Sequence, residues 1–121
     1  MAVASQVLTA LIALVHVYIL VLEMFLWTTP TGRRVFGTDA AFAEQSKALA
    51  ANQGLYNGFL AAGLIWSLLA PAAYAKELAI FFLACVLIAG VYGGFTANKR
   101  IWLLQALPAA LALAAVLLIG F

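Results

Sequence analysis

Glu23, His16 and Tyr92 are the side chains of this sequence best suited to moving a proton. Each lies within a long apolar stretch, where a polar group is costly and usually faces protein or water. Glu23 and His16 stand seven residues apart, so on a helix they share one side. Either could serve as a general base or anchor a ligand, and the Tyr92 hydroxyl could donate to a developing anion. Asn52, Gln53, Tyr56, Asn57 and Gln105 add groups able to hold the polar end of a ligand. Asn52 and Tyr56 are four apart, as are Gln53 and Asn57, giving two adjacent polar stripes on one helix. Each residue has a plainer alternative. The amides could be interhelical hydrogen bonds worth about 1 kcal/mol or less each, His16 could be held within a bundle, and Glu23 could pair with Arg33 or Arg34. A metal centre needs three or four converging ligands. His16 and Glu23 with amides are a poor set for one, and Cys85 reads as a small packed hydrophobe in an apolar run. No metal is expected.

These residues have to be positioned by helices in a membrane. Of 121 residues, 68% are hydrophobic and 8% charged, with mean hydropathy +1.15. A soluble domain runs near half apolar and about a quarter charged, and so small a core cannot hide this much apolar surface. A soluble enzyme and a nucleic-acid-binding module are excluded, and the apolar residues must face lipid. The length allows one domain, 1–121. Apolar segments predict helices over about 7–27, 40–70, 78–95 and 101–121. The expected fold is all-α, a four-helix transmembrane bundle. The first segment is too long for a cleaved signal peptide and carries His16 and Glu23, so it reads as a retained helix. Thr28-Thr29-Pro30-Thr31-Gly32 reads as the end of that helix, and Thr38 or Asp39 as the cap of the next. Gly54 with Gly58, and Gly90 with Gly94, are GxxxG pairs that predict close helix packing.

Charge sets the orientation. Arg33, Arg34 and Lys47 lie in the first connection, Lys99 and Arg100 in the third, and Lys76 beside Glu77 in the second. Five positive residues against one place the first and third connections in the cytoplasm and both termini on the extracytoplasmic side of the plasma membrane. At about 1.5 Å rise per residue, Glu23 lies ~6 Å and His16 ~16 Å inward from Trp27. On the same rise Asn52, Tyr56 and Asn57 lie ~5, 10 and 12 Å inward from Leu49, and Tyr92 and Gln105 ~5–6 Å inward from the ends of their helices. The polar residues therefore gather in the cytoplasmic half. This pattern predicts a polar pocket within the membrane, open toward the cytoplasm, for a small lipophilic molecule. Two other readings follow from the same residues: a proton- or solute-conducting path using His16 and Glu23, and a structural membrane subunit whose amides only hold helices together.

Two resemblances rest on these residues. His16-Val17-Tyr18-Ile19, Leu22-Glu23-Met24 with Trp27, Ala51-Asn52-Gln53-Gly54-Leu55-Tyr56-Asn57-Gly58, Gly90-Val91-Tyr92-Gly93 and Gln105-Ala106-Leu107-Pro108-Ala109 resemble the pattern of a bacterial membrane-protein family, domain of unknown function 1304. That resemblance spans nearly the whole chain and implies no activity. From Ala48 onward the chain also resembles, distantly, the membrane-associated proteins in eicosanoid and glutathione metabolism. Lys47-Ala48 through Asn52-Gln53, Tyr92 near the end of the third helix, and Gln105-Ala106-Leu107-Pro108 carry it. It implies four helices, a cytoplasm-facing site, a homo-oligomer of three subunits, and glutathione as a possible cofactor. Where glutathione-using members carry arginines and a glutamate, this chain has Ala48, Ala51 and Leu55.

Overall fold

Apolar runs set the helices of this chain, and its prolines, glycines and short polar side chains set their ends. A computed structural model describes residues 2–121. Its order is α1 (Val3–Met24), α2 (Pro30–Phe36), α3 (Ala40–Leu69) and α4 (Ala75–Thr96), then a π-helical turn (Trp102–Ala106) running into α5 (Leu107–Leu118). The described residues form helices and turns only, so the all-α class holds.

Two local features differ from the sequence expectation, each for a stated reason. The Thr28–Gly32 stretch does end α1, but it also starts α2. Thr29 accepts from Gly32 N through its hydroxyl oxygen at 3.2 Å and donates to Leu26 O at 2.7 Å. Pro30 sits at the first helical position, where a missing N–H costs nothing. Gly37, with φ of 68°, closes the short helix in the left-handed region. Gly32 is required by space, because a methyl group there would run into the Leu26 carbonyl oxygen. Of the two proposed caps for the next helix, Asp39 is the one used: its carboxylate accepts from Phe42 N at 2.7 Å. The second difference is in the last helix. Pro108 has no N–H to continue the α ladder, and Leu107 N–H reaches back to Trp102 O, a π-type bond.

On its buried face, α1 carries polar residues beside the apolar Ile12, Ala13 and Leu22. Its buried residues include Ser5, Thr9, His16 and Glu23, all 6% exposed or less. Its exposed residues include Val7, Leu11, Leu14, Tyr18 and Phe25. A helix of a water-soluble protein would not leave so many apolar side chains exposed. At 22 residues each, α1 and α4 are long and apolar enough to cross a membrane. At about 1.5 Å per residue that length exceeds the ~30 Å hydrocarbon core. α3 has 30 residues with Asn52, Gln53, Tyr56 and Asn57 in its middle. The π turn and α5 together form a shorter apolar run.

The chain divides into two compact units: Leu14–Ala61, and the start of the chain up to Ala13 together with Ala62–Phe121. In Leu14–Ala61, glycines let α3 approach α1. A methyl group added at Gly54 would fall 2.6 Å from Met24 Cγ and 3.1 Å from Glu23 Cβ, and one at Gly58 2.6 Å from Leu20 Cδ1. In the other unit, α4 packs against the π turn and α5. A methyl group at Gly90 would lie 2.8 Å from Ala106 N, and Gly94 lies directly against the Trp102 ring. Ala79, Leu83 and Val86 of α4 and Ala109, Ala112 and Val116 of α5 are fully buried, a small-residue interface of the kind that lets backbones come close.

Candidate functional site

The close approach of α1 and α3 brings two polar side chains together. Asn57 Nδ2 donates to Glu23 Oε1 at 2.6 Å and also to the Gln53 carbonyl one turn earlier at 3.2 Å. Glu23 is 6% exposed, and Asn57 is its one side-chain partner among the described residues. Beside this pair is a hollow of about 180 Å³ lined by Glu23, Trp27, Phe42, Ser46, Leu49, Ala50 and Gln53. Its wall is fixed by a relay across the α1–α3 connection. Trp27 Nε1 donates to Ser46 Oγ at 3.0 Å, and Ser46 Oγ donates to Phe42 O at 2.7 Å. The Trp27 ring also packs on Phe36 of α2, with centroids 4.9 Å apart. Residues of α2 and α3 thus hold one indole in place.

Of the residues expected at the site, Glu23, Gln53 and Asn57 are brought together. His16 is buried, 2% exposed, on the same side of α1 as Glu23 and two turns earlier. Asn52 and Tyr56 are exposed. Asn52 Nδ2 donates to Ala48 O on its own helix, and Tyr56 makes an edge contact with Phe59. Tyr92 and Gln105 belong to the other unit, and neither lines the hollow. Gln105 Nε2 donates to Val86 O at 3.0 Å, joining the π turn to α4. Tyr92 is 70% exposed on α4, in an apolar depression with Leu87, Ile88, Val91 and Phe95.

The glycines contained the signal for this sorting. With about 100° between successive residues of a helix, Asn52 and Tyr56 fall opposite the face marked by Gly54 and Gly58, while Asn57 falls at its side and Gln53 further round. Tyr92 likewise falls opposite Gly90 and Gly94. Ser46, Trp27 and Phe42 were not singled out as site residues. Trp27 and Ser46 are 19 residues apart, and they meet only because α2 folds the connection back, which no periodicity shows. The described residues include no group of three or more His, Cys, Asp or Glu placed to hold a metal ion.

Chemically, the site offers one carboxylate with an amide on one oxygen, a second amide at Gln53, and aromatic walls. It can accept hydrogen bonds and hold an apolar group. Similarity to other proteins extends over both units. The family described as "Protein of unknown function (DUF1304)" matches residues 10–117. The uncharacterized protein YpaA of Lactococcus lactis subsp. lactis (strain IL1403) is 36% identical over 115 residues, covering 93% of this chain and 96% of that protein. No solved structure matches the chain. With the family match and this relative both covering nearly its full length, the chain belongs to the DUF1304 family of proteins of unknown function.

Proposed function

We propose that this chain is a multi-pass protein of the plasma membrane that holds the polar end of a small lipophilic molecule at Glu23. The observation that carries the reading is a carboxylate 6% exposed, with one amide partner, at the wall of a hollow. A volume of about 180 Å³ is below the roughly 300–1,000 Å³ of pockets that enclose a whole ligand. It suits a head group, with the tail left on apolar surface. The outer face of α1 supports membrane insertion, since Val7, Leu11, Leu14 and Val15 are exposed while its polar Ser5, Thr9, His16 and Glu23 are all buried. The positive residues Arg33, Arg34 and Lys47 support a cytoplasmic position for this end of α1. The many exposed apolar side chains, Leu69, Phe95 and Leu118 among them, suit lipid and would equally serve a homo-oligomer, with a trimer the assembly implied by the distant resemblance.

The test is native mass spectrometry of gently extracted protein, with released small molecules identified, for the wild type and Glu23→Gln. The wild type is expected to carry a defined lipophile that the variant loses. If both arrive empty and melt alike, the Glu23–Asn57 bond is only a cross-link between helices and the pocket reading fails. A second reading, proton conduction, draws on the buried stripe Ser5, Thr9, His16 and Glu23 along α1. It predicts proton flux into vesicles containing the protein, abolished by His16→Ala.

A further inference from the structure

The hydrogen bonds around the hollow determine which class of head group it can take. Its donors are largely committed. The Trp27 N–H goes to Ser46, and the Ser46 hydroxyl proton goes to the Phe42 carbonyl. The Asn57 amide is bound to Glu23 Oε1 and to the Gln53 carbonyl. The acceptors are not. Glu23 Oε2 has no protein partner among the described residues, and the Gln53 side-chain oxygen makes no bond there either. The Gln53 NH2 is the one remaining side-chain donor of the lining. No Lys, Arg or His lines the hollow, so its only ionisable group is a carboxylate. Two aromatic rings, Trp27 and Phe42, add π faces, which attract cations. An anionic head group would meet Glu23 with nothing to offset its charge, and burying an unpaired charge is severely unfavourable. A neutral hydroxyl would leave the carboxylate uncompensated.

We infer that the molecule held at Glu23 carries its positive charge in the hollow: a primary or substituted ammonium on a hydrocarbon tail. This deepens the pocket reading above and rests on it. The ammonium can belong to a free lipophilic amine or to the head group of an ethanolamine or choline phospholipid, since the chemistry presented to Glu23 is the same.

The experiment uses the full chain in maltoside micelles, which contain no ammonium. Tetradecylamine, tetradecanol and tetradecanoate are titrated separately and counted by native mass spectrometry, with wild type beside Glu23→Gln and Gln53→Lys. Glu23→Gln keeps an oxygen for Asn57. Gln53→Lys, at an exposed position, supplies an internal ammonium that competes for the site, so the test survives if the first variant does not fold. The amine is expected to bind the wild type at least about tenfold more tightly than the alcohol. Both variants should lower amine binding to the level of the alcohol. Tighter binding of tetradecanoate, or equal binding of all three, overturns the cationic assignment while leaving a pocket. Binding of none overturns the pocket reading as well. Adding ethanolamine phospholipid to the micelles separates the two sources. Displacement of the amine assigns the site to a lipid head group, an undisturbed amine assigns it to a free amphiphile, and both agree with the inference.

Discussion

The two compact units of this chain use the same kinds of side chain for different ends. In Ala62–Phe121 the polar donors on the packed face close onto backbone. Gln105 donates to the Val86 carbonyl and Trp102 to the Val91 carbonyl, both at 3.0 Å. Each of these bonds fixes the π turn on α4. In Leu14–Ala61 an amide instead donates to a side-chain carboxylate beside a hollow, and the other oxygen of that carboxylate has no partner among the described residues. An amide bound to backbone is glue. The buried carboxylate beside a hollow is the group to which we assign binding. Residue type is alike in the two cases and does not separate them.

The sharpest way to break this contrast is to charge the partner of Glu23. Asn57→Asp sets two carboxylates against each other and should destabilise the protein by about 3–5 kcal/mol, read as a fall in Tm in detergent. A loss as small as that of Asn57→Ser would show that Glu23 does not depend on its amide. Next in size is Gly90→Leu, which forces a side chain between α4 and the Ala106 backbone. It should cost about 1–3 kcal/mol in the same measurement. Gln105→Ala removes a bond to backbone and should cost about 1 kcal/mol, with binding at Glu23 unchanged. Altered binding would mean that the two units do not divide the labour as described. Smallest is Tyr92→Phe. The hydroxyl belongs to a side chain 70% exposed, so stability should move by no more than about 0.5 kcal/mol. A larger fall in Tm or in bound lipophile would return Tyr92 to the site.

Much of this could be read in the sequence. The apolar runs marked the helices, and the spacing of His16 and Glu23 put both on the buried side of α1. Asp39 is one of the two caps that the sequence offers for α3. The features that the sequence hides have physical causes. Pro30 and Gly32 stop one helix and start another, because proline serves equally after a helix end and at a helix start. The expected helix over 101–121 contains a π turn, because the effect of Pro108 falls on the turn before it. The polar set was grouped by depth, although depth along a helix says nothing about the direction a residue faces. The glycine rows carry that direction, and they separate Asn57 from Tyr56 and Tyr92. Trp27 and Ser46 could not be paired in advance, since their contact depends on how α2 folds back.

The π turn at Trp102–Ala106 also constrains what insertions and deletions this chain can accept. A π turn holds about one residue more than the α turn it replaces, so the segment counts as an insertion accommodated without a loop. Deleting Leu103 would let the ladder close as an ordinary α-helix. It would also rotate the residues on either side of the deletion by about 100° relative to one another. Trp102 could then not stay against Gly94 while Ala109, Ala112 and Val116 kept their buried places. The extra residue therefore acts as a phase shift in the helix, and sequences that share this packing should keep the spacing between Trp102 and Pro108 even where the residues between them change.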